Sequence, residues 1–242
     1  MGQTINNLVE VIFELQGRFI VLPTKVQSNM KKSLLCLGLI LCAVALQAQS
    51  LYIQDLNGRP IFENSYMEIE GSPYLNDAWA RGTVKAKHNG KVYEIAKMRY
   101  DVYKDEVEYE ENQKPYRFGG EISEFVTNEG IFRSGFPALE SLTNSSFYQV
   151  LYDGNLKLLK RNIVRIQSEK LYNSATQTKR FLKESALYLF KNGVMTRLTK
   201  DKKSLLEAMG DKQAEIEQFI KIEKLKLSKE EDVLRIVEKY EG

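Results

Sequence analysis

Apolar and polar residues alternate with a period of two along Gly82–Phe118, and this pattern predicts consecutive antiparallel strands. Asn89-Gly90 separates two such runs, and this dipeptide is the strongest short-range signal for a hairpin closed by a type I′ turn. With these two residues as the turn, Val84 should lie opposite Ile95. The alternation then places apolar side chains on one face of the hairpin and charged side chains on the other.

A second turn at Lys104-Asp105 extends the meander and predicts that Tyr100 lies opposite Tyr109. A polar tip at 110–115 and further alternating runs predict that strands continue as far as Leu198. The third turn of this kind, Asn192-Gly193, should pair Phe190 with Met195. A long excursion is expected at 127–146, with one helical turn around 138–142.

From Lys200 the apolar period changes from two to about 3.6, which predicts helices. Asp211 is the expected N-cap of one helix, and Ser228–Glu231 matches the capping box of another. The apolar stripes of these helices need a surface to cover, and the sheet provides one. The fold class predicted is therefore α+β: a curved antiparallel meander or partly open barrel over residues 49–198, with two or three C-terminal helices over 199–242 packed on it.

Residues 30–48 have the layout of a secretory signal peptide, with two lysines, an apolar run from Leu34 to Leu46, and a small residue, Ala48, at the expected cut. The run is too short to favour a membrane-spanning helix. Because signal peptides begin at the N-terminus, we expect translation to start at Met30 and residues 1–29 not to belong to the exported protein. A genuine N-terminal extension is the alternative. The predicted location is the periplasm or the cell surface.

The charge and cysteine content narrow the function classes. Removing residues 1–48 removes both cysteines, Cys36 and Cys42, so the mature chain should contain neither disulfides nor a thiol nucleophile. It also removes four of the 35 basic and two of the 32 acidic residues, which leaves a nearly neutral chain. Near-neutrality argues against a nucleic-acid partner. No cofactor motif is present in the sequence.

Catalytic and metal-binding signals are weak. His88 is the only histidine and lies beside a predicted turn, which argues against a catalytic triad and against a multi-histidine zinc site. The register of the second hairpin brings carboxylates together, with Asp101 opposite Glu108 and Glu106 nearby. These three residues are weak candidates for a Ca²⁺ site or for acid/base chemistry. A solvated outer face is the preferred interpretation.

Aromatic residues form the other candidate site. Tyr93, Tyr100 and Tyr109 share the apolar face of the meander, where they are expected to form core or the wall of a ligand cavity. Trp79, the only tryptophan, follows a Gly-Ser-Pro break. It is expected to cover a sheet end or, less in keeping with its position, to serve as a ligand platform.

The run Arg99–Tyr103 followed by Asp105–Glu108 resembles a strand pair of uncharacterised exported β-rich proteins from Bacteroidota-type bacteria. The lead-in Tyr74–Gly82 and the helical end Ile220–Tyr240 are similar to that group as well. The resemblance implies export. It implies no known activity and brings no catalytic residues.

These observations predict a non-enzymatic binding module of the cell envelope, which holds an apolar small molecule or an envelope protein on a curved sheet. A structural or assembly protein of the envelope that uses sheet edges is the alternative. A hydrolase that uses Asp/Glu chemistry is the third hypothesis. No stable membrane span is expected after signal cleavage.

Overall fold

The computed structural model describes residues 58–61, 66–118, 122–170 and 177–242, together with two short strands, Glu14–Leu15 (β1) and Arg18–Phe19 (β2). The chain divides into two compact units, residues 1–52 and 53–242. In the first unit β1 and β2 pair antiparallel, with Glu14 opposite Phe19. The predicted signal peptide at 30–48 lies outside the described residues. No helix in the described part of the chain is long and apolar enough to cross a membrane.

The second unit consists of strands followed by helices, which confirms the α+β class. Its strands are Arg59–Pro60 (β3), Ile69–Glu70 (β4), Ala80–Ala86 (β5), Val92–Asp101 (β6), Glu106–Glu111 (β7), Lys114–Arg117 (β8), Ile122–Thr127 (β9), Gly130–Arg133 (β10), Tyr148–Asp153 (β11), Lys157–Lys170 (β12), Gln177–Lys191 (β13) and Val194–Arg197 (β14). The helices are Lys202–Ala208 (α1), a short 3₁₀ turn at Gly210–Lys212, Gln213–Ile222 (α2) and Glu230–Glu241 (α3).

The strands form one open sheet in the order β14-β13-β12-β11-β10-β9-β5-β6-β7-β8-β3, with β4 added parallel to β13. Two meanders, β5–β8 and β9–β14, therefore meet where β5 pairs with β9. Phe118, just after β8, and Ile122, at the start of β9, are four residues apart, so the chain between them spans at most about 14 Å. A flat sheet would separate β8 from β9 by four strand spacings, about 19 Å. The β5–β9 region must therefore curl, as the sequence predicted.

The registers of the first two hairpins differ from those predicted. Val84 lies opposite Tyr93, not Ile95, and Tyr100 lies opposite Val107, not Tyr109. The reason is loop length. Ala86 N–H donates to the Lys91 carbonyl and Asp101 pairs with Glu106, so each loop contains four residues, 87–90 and 102–105, instead of two. Gly90 alone of its dipeptide has positive φ, so the expected type I′ turn does not form. Apart from Ala80, which an irregularity separates from Gly82, the pairings shift by two residues, and an even shift keeps these side chains on their predicted faces.

The third hairpin turn matches the prediction. Asn192 and Gly193 have φ values of 51° and 81°, as a type I′ turn requires, and Phe190 lies opposite Met195. The predicted polar tip at 110–115 is also confirmed as the turn between β7 and β8.

The core has three clusters. The first fills the curled sheet around Tyr100, Phe125 and Phe132. The second lies between the helices and one face of β12–β13, where Leu158 and Leu189 are buried. The third covers the opposite face of the same strands with residues of the 134–147 loop. Around Leu158 and Leu189, β12 and β13 are thus covered on both faces, and the helices pack on the sheet within one compact unit.

Local details of the C-terminal half correct three predictions. The excursion at 127–146 contains strand β10, and an isolated β-bridge between Leu139 and Leu142 replaces the expected helical turn. No capping box forms at 228–231, because α3 begins after Lys229 without a side-chain cap. Asp211 lies in the 3₁₀ turn, where it accepts a hydrogen bond from the Tyr240 hydroxyl instead of capping α2.

Candidate functional site

A covering segment, Tyr66–Trp79, lies across the outer face of the curled sheet. Two backbone hydrogen bonds hold it beside the end of β6: Leu75 N–H donates to the Tyr100 carbonyl at 3.0 Å, and Val102 N–H donates to the Pro73 carbonyl at 2.9 Å. Because this face of β6 carries charged side chains, the covering segment must satisfy them with hydrogen bonds.

Asp101 is fully buried beneath the covering segment. Its Oδ2 accepts a hydrogen bond from the Tyr66 hydroxyl at 2.6 Å, and its Oδ1 accepts one from the Lys104 N–H at 2.9 Å. Burial and then the bond to Asp101 raise the pKa of Tyr66, so its phenol remains a donor over the whole physiological range. Asp101 therefore anchors both the covering segment and the β6–β7 loop.

Arg99 forms a second anchor under the same segment. Its guanidinium lies 3.7 Å from the ring centre of Tyr74 and 4.2 Å from that of Trp79, and it donates to the Tyr74 hydroxyl at 2.6 Å. It also pairs with the buried carboxylate of Glu108 at 2.8 Å. Burial and then the charge of Glu108 raise the pKa of Tyr74. The ring of Trp79 is thus covered by a cation of its own chain.

The predicted carboxylate constellation is rearranged. Glu108 lies opposite Arg99, and Asp101 lies opposite Glu106, because of the two-residue shift in register. The preferred interpretation of a solvated outer face is wrong for Asp101 and Glu108, which the covering segment buries. Glu106 is instead paired with Arg117 at 2.9 Å. Among the described residues, no group of three or more acidic, histidine or cysteine side chains is placed to hold a metal ion.

The three tyrosines proposed as a ligand wall lie inside the curled sheet. Tyr100 packs against Phe125, Phe132 and Phe147, and its hydroxyl donates to Asp105 at 2.5 Å.

Tyr109 stacks on Tyr116 and Phe118, and burial raises its pKa to about 12. Tyr93 is buried in the same cluster. None of the three rings lines the groove described next.

A groove of about 1100 Å³ runs between the covering segment and β13. Tyr66, Pro73 and Phe181 give it apolar and aromatic walls, while Asp77 and Lys183 add charge. Tyr66 packs edge-on against Phe181 with ring centres 5.4 Å apart, and Lys183 donates to the Tyr74 carbonyl at 2.5 Å. The groove therefore mixes polar and apolar surface and differs from the closed apolar cavity that a small hydrophobic ligand needs.

The outer edge of β13 is paired only at its two ends. β4 covers Lys179 and Arg180, and β14 covers the last residues of β13. Between them lies the β13 edge, residues 182–186, along which no described strand is paired. Leu198 N–H donates to the Leu187 carbonyl at 2.8 Å. Because backbone polar groups alternate in direction along a strand, the N–H and C=O groups of Lys183 and Ser185 face the same open side.

The β13 edge links two hollows. Lys183 lines the groove, whereas Ser185, Ala186 and Leu187 line a second hollow of about 610 Å³ beside Arg197 and Leu198. A chain lying along the edge would thus pass from one hollow into the other.

Sequence reasoning missed Tyr66, Phe181 and the β13 edge. One signal was present: Lys183-Glu184-Ser185 places three consecutive polar residues in the middle of a strand, and charged interruptions of this kind are typical of exposed edges. All three side chains are exposed.

Comparison of the chain with protein-family models, with curated proteins and with solved structures finds no match. Inference about function therefore starts from the geometry of this chain.

Proposed function

We propose that this protein is a non-enzymatic binding module of the cell envelope that holds an extended segment of a partner protein along the β13 edge. The observation that carries the proposal is the row of outward-facing backbone groups at Lys183 and Ser185, framed by β4 and β14. An added strand is the structure that satisfies such a row most completely, because it supplies donors and acceptors at the same spacing.

The shape of the edge supports a strand of limited length. The open stretch begins after Arg180, where β4 ends its pairing, and closes at Leu187, which bonds to Leu198. At about 3.3 Å per residue, this stretch accommodates roughly four to six residues of partner chain. A longer strand would collide with β4 or β14, so the site selects short extended segments.

The two hollows along the β13 edge would supply selectivity for the side chains of the bound segment. Side chains of a bound strand would reach the groove near Lys183 and the second hollow near Ser185 and Leu187, because the two hollows follow one another along the edge. Tyr66 and Phe181 offer aromatic surface to an apolar side chain. The mixed lining of the groove favours a peptide over the apolar small molecule considered from the sequence.

An envelope location belongs to the same proposal. Its support is the signal-peptide pattern of residues 30–48 and the absence of cysteine after Cys42.

The test uses peptides selected from a library of random dodecapeptides displayed on phage, panned against the full-length chain. Selected peptides are synthesised, and their affinity is measured by fluorescence polarisation for the wild type, Ser185→Pro and Ser185→Ala. Proline removes the outward N–H of residue 185, and edge positions tolerate proline. We expect Ser185→Pro to weaken binding at least tenfold. Ser185→Ala keeps the N–H and should bind within a few-fold of the wild type.

A readout on the wild-type protein covers the case in which Ser185→Pro fails to fold. Peptides N-methylated at alternate residues lose the hydrogen bonds of one edge. One of the two methylation patterns should abolish binding, while the other leaves it intact. Protection of the Lys183 and Ser185 amides from hydrogen exchange should rise in the complex. Equal binding of both methylated patterns, or unchanged exchange at these amides, contradicts the proposal.

A further inference from the structure

A second, smaller cavity lies at the seam of the curled sheet, where the end of β8 approaches the start of β9. This seam pocket has a volume of about 360 Å³, and the residues that matter for its chemistry include Arg59, Lys87, Arg117, Ile122, Ser146 and Phe147. None of its lining residues belongs to the β13 edge.

Two arginines face each other at this pocket. Arg59 of β3 lies directly opposite Arg117 of β8, so the two side chains share one face of the sheet. Like charges in directly opposed positions repel unless an anion lies between them. Arg117 pairs with Glu106 at 2.9 Å, whereas Arg59 forms no ion pair with any described residue. The ladder thus holds two arginines side by side, and Arg59 has no ion-pair partner in the part of the chain that the structure describes.

The remaining charges keep the pocket positive. Its two carboxylates, Asp105 and Glu106, are already bound to cations: Asp105 accepts from Arg161 at 2.9 Å, and Glu106 pairs with Arg117. Lys87 lies on the rim, exposed and without an ion pair among the described residues. Arg59 and Lys87 therefore leave a positive excess that no described carboxylate neutralises.

A hydroxyl group adds a neutral donor. Ser146 is 7% exposed, and its Oγ accepts a hydrogen bond from the Thr143 N–H at 3.2 Å. The hydroxyl hydrogen of Ser146 donates to no described acceptor, so it is available to an anion in the pocket. Thr143 and Ser145 are two further hydroxyl-bearing residues that line the pocket.

Three apolar side chains that are at most 7% exposed, Phe118, Ile122 and Phe147, also line the pocket. An organic group attached to an oxyanion would contact the small apolar surface that these side chains leave open to the pocket.

From these observations we propose that the seam pocket binds a phosphate monoester, with the phosphate between Arg59 and Arg117 and its organic group against Ile122 and Phe147. A phosphate monoester carries nearly two negative charges at neutral pH and three strong acceptor oxygens. Guanidinium groups and hydroxyl donors match these oxygens in charge and geometry.

The test measures binding of phenyl phosphate, inorganic phosphate and phenol to the full-length chain by isothermal titration calorimetry, at one ionic strength set with sodium chloride, because exposed charges are screened by salt. We expect phenyl phosphate to bind more tightly than inorganic phosphate and phenol not to bind. Phenyl sulfate carries one charge fewer and should bind more weakly. Binding of inorganic phosphate as tight as that of phenyl phosphate, or no binding of either, overturns the proposal.

Arg59→Gln separates an anion site from a structural role. Without ligand, this change relieves the repulsion with Arg117, so the melting temperature should stay equal to that of the wild type or rise. With phenyl phosphate, affinity should fall roughly tenfold or more. Arg81→Gln is the matched control, because Arg81 is also an exposed strand arginine, and it pairs with Glu94 away from this pocket. Retained affinity in Arg59→Gln, or equal loss in Arg81→Gln, contradicts the assignment.

Discussion

Neutralising Asp105 should cost more stability than its partly exposed position suggests. Arg161 is buried, and from one nitrogen it donates to Asp105 Oδ1 at 2.9 Å, to the Tyr100 hydroxyl at 2.9 Å and to the Phe147 carbonyl at 2.7 Å. Asp105 is the only carboxylate that pairs with this guanidinium among the described residues. Asp105→Asn keeps the side-chain shape, and Asn tolerates the positive φ of 59° at this position. The change therefore removes charge alone.

The size of the expected loss in stability follows from the exposed fractions of the Arg161 and Asp105 side chains. Removing one partner of a buried ion pair costs about 3–5 kcal/mol, because the other charge stays buried and uncompensated. The Arg161 side chain is 8% exposed and that of Asp105 is 21% exposed, so water reaches one side of the pair. We therefore expect a loss near the lower end, about 3 kcal/mol, from a domain whose stability is of the order of 5–15 kcal/mol.

Urea denaturation of the full-length chain, in buffer free of phosphate, measures this loss. The decisive comparison adds Arg161→Met, which removes the buried charge at similar length. Alone it leaves the Phe147 carbonyl without its donor, at a cost of about 1–3 kcal/mol. The double variant Asp105→Asn/Arg161→Met should lose no more free energy of unfolding than Asp105→Asn alone. Additivity of the two single changes within about 0.5 kcal/mol would refute the reasoning.

Three further outcomes follow from packing and charge. Gly82→Ala should lower the free energy of unfolding by about 1–3 kcal/mol in thermal melts, because a Cβ there would lie 2.2 Å from the Val126 carbonyl oxygen. Glu241→Gln should cost about 1–2 kcal/mol in urea denaturation, because the Glu241 carboxylate accepts two backbone N–H bonds, each 2.9 Å, from the β11–β12 turn. Burial raises the folded-state pKa of Tyr100 well above its ordinary value. At a pH between the unfolded-state and folded-state pKa values, unfolding therefore releases a proton from this phenol. Stability should be complete below about pH 10 and decline as pH rises further, with tyrosinate absorbance appearing only as the chain unfolds.

The architecture could be predicted from the sequence because the signals were local. The two-residue period, the Asn192-Gly193 turn and the change to helical period each depend on neighbouring residues. The registers of the first two hairpins could not be predicted in the same way. There, Asn89-Gly90 predicted a two-residue turn, but the structure has a four-residue loop. Tyr93, Ile95, Met98 and Tyr100 are nevertheless all buried as predicted, because the shift is even outside the irregularity between Ala80 and Gly82.

The candidate site could not be predicted because it depends on tertiary neighbours. Asp101 belongs to a run of charges that is typical of solvated strands, and only the covering segment buries it. The openness of β13 is likewise a property of what lies beside it, since the sequence of a strand does not specify where its neighbours stop. Lys183-Glu184-Ser185 indicated exposure, but the hollows on either side come from residues distant in the chain.

The pairing of β5 with β9 has a consequence for the order in which the sheet assembles. Val84 pairs with Phe125, so the middle of β5 gains its second neighbour only after the whole β6–β8 meander has been made. Pairings between residues far apart in sequence are slow to form, because the intervening chain must first be ordered. During synthesis, β5 therefore stays exposed on one side until β9 emerges from the ribosome. An intermediate that lacks β9 therefore carries an unpaired strand edge, which favours misassembly and chaperone binding.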